Sequence, residues 1–205
     1  MNEQAHFLHV FKLANKRFGK SAYRLAGEGW DAPWQTLIVT IMSAQSRDET
    51  TIPIAEGLFK RYPTLVSLAE ARYEDVLALL RSMNYNRTKA RHVIACCKEL
   101  LVRYDGQVPE TIDELITLPG VGRKTANLVV TECFAKPGIC VDTHVHRIAN
   151  VLGLVRTKTP TETEFALRAV APQRYWEKIN RVFVLWGKHV AGTNKKKLLA
   201  ALRYV

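Results

Sequence analysis

Between Glu3 and Phe18 the apolar residues Phe7, Val10, Phe11, Ala14 and Phe18 recur at the spacing of one helical face. Such a stripe must dock on another element. Trp34 to Ala44 is almost wholly apolar (Leu37, Ile38, Val39, Ile41, Met42), which predicts a helix buried on most sides. Its β-branched residues would suit a strand, but a run of this length favours helix. Further helices are expected over Thr51–Tyr62, with Pro53 tolerated in the first turn, and over Thr64–Ala71, Tyr73–Met83 and Arg87–Arg103. Thr111-Ile112-Asp113-Glu114 fits a capping box and starts a short helix ending at Leu118-Pro119-Gly120. A second helix begins after Gly122 and runs to about Phe134, where Ala135-Lys136-Pro137-Gly138 breaks it. Asp142 is placed to cap the next helix, whose stripe is Val145, Ile148, Ala149 and Leu152. Thr161-Glu162-Thr163-Glu164 reads as a second capping box for a helix to Ala171, and Arg174–Val190 supplies a last long helix with Trp176, Ile179, Phe183 and Trp186. With no strand, repeat or low-complexity stretch in the pattern, the expected fold class is all-α.

The 205 residues allow one mid-sized domain or two small ones, and a hydrophobic share of 47% excludes a disordered chain. No apolar run reaches the roughly 18–20 residues of a membrane span, and the mixed N-terminus does not read as a secretory signal. A soluble, cytoplasmic protein with no membrane partner is the expectation. Charge changes the picture more. Thirty Lys and Arg against nineteen Asp and Glu leave a formal charge of +11, which favours a polyanionic partner, nucleic acid before others. The basic residues recur along the whole chain rather than in one tail, so the positive face belongs to the folded surface. The four cysteines, Cys96, Cys97, Cys133 and Cys140, form no C-x-x-C pair and show no metal-ligand spacing with histidine. No metal site is expected from them.

The most specific string is Leu118-Pro119-Gly120-Val121-Gly122-Arg123-Lys124-Thr125-Ala126. Two glycines around one apolar residue leave the backbone bare, so a phosphate can approach the amides, and the following helix points its N-terminal NH groups at that anion. Val121 would anchor the turn in the core, and Ala126 would let the two helices cross closely. The device grips a phosphodiester without reading sequence. Lys124 can add charge to that grip, or it can do more. In the first turn of a helix it lies at the positive end of the dipole, with Arg123 and Arg147 as further positive charge, and this setting favours the free amine that attacks. An amine nucleophile needs an ionised carboxylate, and Asp142, in Val141-Asp142-Thr143-His144, is the candidate partner.

From about Trp34 to Gly187 the chain resembles the endonuclease III branch of the helix-hairpin-helix (HhH-GPD) DNA glycosylases and AP lyases. The resemblance is carried by Ser43-Ala44-Gln45, by Asn84-Tyr85-Asn86-Arg87-Thr88-Lys89-Ala90, by Leu118 to Ala126 and by Val141 to His144. It implies a six-helix barrel domain over residues 26–136, with the hairpin at about 112–134. It also implies a second helical domain of residues 1–25 plus 137–205, with a DNA cleft between the two. Lys124 and Asp142 would be catalytic, Lys124 attacking the sugar C1′ of a flipped-out damaged nucleotide and nicking the strand by β-elimination. Gln45, Tyr85, Lys89, Gly120, Val121, Gly122, Arg123 and His144 would bind DNA. Gln45 would fill the hole in the stack, His144 would face phosphates near the flipped nucleotide, and a monovalent cation could sit at the hairpin backbone. Tyr85 is a departure, since relatives often carry Leu where a side chain enters the opposite strand.

A larger departure concerns the iron-sulfur cluster that many relatives hold with C-x6-C-x2-C-x5-C. Aligned on Trp186 to Val190, the ligand positions fall on Ala191, Leu198, Ala201 and a residue beyond Val205, so no cluster is expected. Lys195-Lys196-Lys197 brings positive charge there, as a phosphate contact or a frayed tail. The implied partner is duplex DNA with a damaged base, oxidised pyrimidine foremost, or an abasic site, met by a nucleoid-associated monomer. Two rival readings remain at this point: a non-catalytic DNA-gripping module, and a monofunctional glycosylase for mismatched or alkylated bases.

Overall fold

The computed structural model describes residues 2–203, so the ends of the expected second domain, Met1, Tyr204 and Val205, lie outside the described residues. The described residues form α1 (Glu3–Phe18), α2 (Pro33–Ser43), α3 (Asp48–Arg61), α4 (Leu65–Ala69), α5 (Tyr73–Leu79) and α6 (Asn86–Tyr104). They continue with α7 (Ile112–Leu115), α8 (Arg123–Phe134), α9 (Thr143–Val151), α10 (Pro160–Val170), α11 (Trp176–His189) and α12 (Lys195–Ala200), with a 3-10 turn at Gln173–Tyr175. No strand occurs among the described residues, so the fold is all-α. The chain divides into two units, Arg24–Phe134 and Met1–Tyr23 with Ala135–Val205.

The Arg24–Phe134 unit is built around α2, whose residues Thr36 to Met42 are all buried. It packs on α3, α6 and α8, with α4 and α5 against α6 and α7 against α8. A buried threonine is tolerable in such a helix only if its hydroxyl is satisfied, and Thr40 donates to the Thr36 carbonyl at 2.7 Å. Full burial of Leu37, Ile38 and Met42 contributes about 1.5–3 kcal/mol each to the unfolding free energy. The proline departs from expectation: α3 starts at Asp48, so Pro53 lies inside the helix and not in its first turn. Asp48 and Glu49 explain the earlier start, because carboxylates complement the positive end of the helix dipole. Asp48 also accepts from the Ala26 backbone NH, at 3.1 Å, which holds that end of the helix in place.

The other unit buries the predicted α1 stripe, with all five residues inside. Phe7 and Phe11 stack at 5.4 Å, and Phe18 stacks on Trp186 of α11 at 6.2 Å. The segment after α1 is pinned to α11 by Arg181, which donates to the carbonyls of Ser21 and Tyr23. The cap of α10 is Thr159, whose hydroxyl accepts from the Glu162 NH at 3.2 Å, not the predicted Thr161. Pro160 decides this, since its fixed φ is preorganised for the first helical position. The lysine triplet is not a frayed tail. Asn194 caps α12, its side chain accepting from the Lys197 NH at 3.0 Å, and Leu198 is fully buried.

Candidate active site

Within the Arg24–Phe134 unit, α7 ends in the turn that leads to α8, and this turn carries the glycines. Val121 is 7% exposed and its NH donates to the Leu118 carbonyl at 3.1 Å, so it anchors the turn as expected. The two glycines differ in kind. Gly120 has φ +78°, and a Cβ there would lie 2.8 Å from the His92 side chain on α6. The chain itself demands a glycine at that position. Gly122 has no positive φ, and a Cβ there would meet nothing within 4 Å. Its bare backbone faces open space at the start of α8, and its carbonyl accepts the Ala126 NH at 2.9 Å. Arg123 and Lys124 follow as the first two residues of α8, both half-buried. Ala126 is fully buried.

Gln45 and Tyr85 are exposed, on two turns of the same unit. Both adopt left-handed backbone, at φ +53° and +57°, which is uncommon for residues with a side chain. Asn84 links the turns by donating its amide to the Gln45 carbonyl at 2.9 Å. Lys89, in the first turn of α6, is 4% exposed and donates to the Ser46 hydroxyl at 2.8 Å. Burial pulls its ammonium down to about 8, because desolvation penalises the charged form. Neither Asn84 nor Ser46 stands out in the sequence as a cross-link, since each partner lies about forty residues away.

In the other unit Asp142 caps α9, one carboxylate oxygen accepting the Val145 NH at 2.8 Å. The second oxygen makes no hydrogen bond among the described residues. His144 packs directly over Gly187 of α11, where a Cβ would come within 2.2 Å of Nδ1. That glycine is required for the imidazole to sit where it does. Arg147 Nη2 stands 3.5 Å from the same Nδ1. An arginine can only donate, so it is the imidazole that would accept in any hydrogen bond between the two. Arg147, expected to add positive charge near Lys124, also donates to the carbonyls of Gly187 (3.2 Å), Val190 (3.1 Å) and Gly192 at the end of α11. Its guanidinium serves the negative end of that helix. Sequence reasoning missed both Gly187 and this role of Arg147; only their spatial neighbours reveal them.

The donors for a metal group do not assemble. Cys96 and Cys97 are buried in α6 and Cys133 lies in α8, while Cys140 is buried in the other unit. Burial pushes the thiols of Cys96, to about 12, and of Cys97 and Cys133 upward, away from the thiolate that binds metal. Among the described residues no group of three or more His, Cys, Asp or Glu is placed to hold a metal ion. Leu198, fully buried, and Ala201, which the resemblance aligns with two cluster-ligand positions, offer no thiolate to a cluster.

The comparisons with known proteins agree with this arrangement. The model of the HhH-GPD superfamily of base excision DNA repair proteins matches residues 38–173. Endonuclease III of Thermotoga maritima is 44% identical over 158 residues, covering 77% of this chain and 74% of that protein. Endonuclease III of Synechocystis is 36% identical over 167 residues, covering 81% and 76%. Among solved structures, a non-covalent Endonuclease III–DNA complex superposes with a TM-score of 0.87 at 31% identity, covering 99% of this chain and 96% of that one. A trapped Endonuclease III–DNA covalent intermediate superposes at 0.85 and 32% identity, covering 94% and 89%. A family match spanning well over half of the chain, with relatives this similar, settles the assignment: the chain belongs to the HhH-GPD superfamily of base excision DNA repair proteins.

Proposed function

We propose that Lys124 is the nucleophile and Asp142 its carboxylate partner in the DNA glycosylase/AP lyase reaction of this chain. We infer that the preferred substrate is duplex DNA with an oxidised pyrimidine, and that an abasic site is processed by the same lysine. The observation that carries the reading is Lys124 at the second position of α8, directly after a turn whose Gly122 leaves its backbone open to a ligand. The relatives support it, since they are named Endonuclease III and their solved complexes include a covalent intermediate with DNA.

The chemistry follows from the residue types. The damaged nucleotide leaves the stack so that its C1′ can be reached. The Lys124 amine attacks C1′, the glycosidic bond to the base breaks, and the base takes up a proton as it departs. The sugar ring then opens to a Schiff base between Nζ and C1′. Loss of a C2′ proton breaks the C3′–O bond, and the phosphate leaves with that electron pair. Water hydrolyses the imine and frees the lysine. Asp142 offers its second oxygen to protons and to positive charge developing on the sugar.

Gly120, Val121, Gly122 and Arg123 hold a backbone phosphate through main-chain NH groups and charge. His144 presents its imidazole as a further partner for a phosphate. Gln45 and Tyr85 occupy the gap and the opposite strand. A monovalent cation at the hairpin would compete for carbonyls, of which that of Leu118 already accepts from Val121. No iron-sulfur cluster takes part, and DNA is met by a monomer in the cytoplasm, on the nucleoid; no helix among the described residues is long and apolar enough to cross a membrane.

The test is a pair of duplexes, one with a single thymine glycol and one with an abasic site, given to the parent and to Lys124→Ala. The parent is expected to release the base from the first duplex and to nick the lesion-bearing strand of both, and the variant to bind without nicking. Nicking that survives Lys124→Ala would overturn the assignment.

A further inference from the structure

Two turns of the Arg24–Phe134 unit are fastened together by side chains that the reaction does not use. One follows α2 and carries Gln45; the other precedes α6 and carries Tyr85. Both residues are exposed and held in left-handed backbone, a conformation that persists only where surrounding contacts impose it. Two contacts are present. Asn84 Nδ2 reaches the Gln45 carbonyl at 2.9 Å, and Lys89 Nζ reaches the Ser46 hydroxyl at 2.8 Å.

The second contact is costly for its kind. Lys89 is 4% exposed, and among the described residues the hydrogen bond of its ammonium is to a neutral hydroxyl and to no carboxylate. A buried charge without a counter-charge does not stabilise a fold. An apolar residue of the same length would serve the core better, so the contact is explained by what it positions.

We propose that Lys89 is a positioning residue: anchored in α6, it fixes Ser46 and so holds Gln45 at a set offset from Tyr85. The two side chains then enter the duplex as a preformed pair, with no ordering left to be done when DNA arrives. This rests on the reading of Gln45 and Tyr85 as the residues that enter the stack.

The test uses the full chain with Lys89→Met, Ser46→Ala, Gln45→Ala and Tyr85→Ala, each assayed on two substrates. One is a duplex with a thymine glycol, which must be invaded. The other is a single strand with an abasic site, which has no stack to invade. Lys89→Met is expected to lower base release from the duplex by up to about 100-fold, the size of effect a misplaced group produces. Nicking of the single strand should continue at the parent rate. Its thermal unfolding midpoint should hold or rise, because a buried charge is removed. Ser46→Ala should shift the duplex rate in the same direction, and the double variant should be no worse than Lys89→Met alone. Should Lys89→Met fail to fold, Ser46→Ala carries the same expectation with only a hydroxyl removed.

Equal losses on both substrates, or no loss on the duplex, would overturn the proposal. So would a salt dependence of binding shallower by about one unit, the mark of a lost direct phosphate contact. If Gln45→Ala and Tyr85→Ala keep duplex activity, the reading of the pair falls and the inference with it. If they lose it while Lys89→Met does not, only the inference falls.

Discussion

The hairpin turn at Gly120 to Gly122 and the paired turns at Gln45 and Tyr85 lie in one unit and are built on opposite plans. The hairpin works by omission: at Gly122 there is no side chain and nothing within 4 Å of where one would begin. The paired turns work by addition, with two side-chain hydrogen bonds closing over residues about forty positions apart. A backbone grip suits a phosphate, which is the same at every nucleotide. A pair of side chains that must enter a stack needs a fixed spacing, and spacing has to be held by something. The comparison also separates two lysines. Lys89 is buried and spent on Ser46, while Lys124 stands half-buried on the first turn of α8 beside the open backbone.

The largest effect that would sharpen this contrast is expected from Asp142→Asn. Asparagine caps a helix about as well as aspartate, so α9 should persist and the unfolding midpoint should scarcely move. The rate of base release should nevertheless fall by about 10²–10⁴-fold, the range for a lost acid–base group. A parallel fall in stability and rate would reduce Asp142 to a cap. Next comes the glycine pair. Gly120→Ala puts a side chain into left-handed backbone and against His92, and should cost about 1–3 kcal/mol of unfolding free energy in urea melts. Gly122→Ala should leave stability within about 0.5 kcal/mol of the parent. Its affinity for abasic-site duplex should fall if a phosphate is held at that backbone as proposed, because the added methyl group would stand in its way. Equal stability losses at both positions would erase the distinction between the two glycines.

The smallest effect belongs to Lys89 and pH. Its ammonium titrates near 8 in the folded chain against an ordinary 10.5. Below 8 both folded and unfolded chains hold the proton, and no pH dependence arises from this group. Above 8 the unfolded chain binds the proton more strongly, so stability rises with pH up to about 10.5. Urea unfolding at pH 7.5 and at pH 9.5 should show this rise in the parent and a flatter profile in Lys89→Met. Identical profiles would mean that the amine is not desolvated.

The local parts of the structure were legible in the sequence. The α1 stripe, the buried α2 and the Asp142 cap each follow from spacing or from a capping residue beside its helix. So does the hairpin, because its glycines, its anchor Val121 and its lysine are consecutive. The first departures came where two local signals competed. Thr161 was expected to cap α10, but Pro160, preorganised for the first helical position, puts the cap on Thr159. Pro53 suggested a helix start, but two carboxylates placed the start earlier. What could not be read was set by partners distant along the chain. Lys89, expected among the DNA-binding residues, reveals its link to Ser46 only in the fold, and Arg147 looks like one more positive charge until the end of α11 is seen beside it. The C-terminal lysines have a similar explanation: Leu198, buried on its own unit, turns a basic stretch into a packed helix.

The most direct test of the account traps the covalent intermediate and finds where it sits. The parent chain is incubated with an abasic-site duplex and borohydride, digested, and the peptide carrying the reduced sugar is sequenced by mass spectrometry. The adduct is expected on Lys124. An adduct on Lys89 or on any other lysine, or none at all under conditions where the strand is nicked, would contradict it.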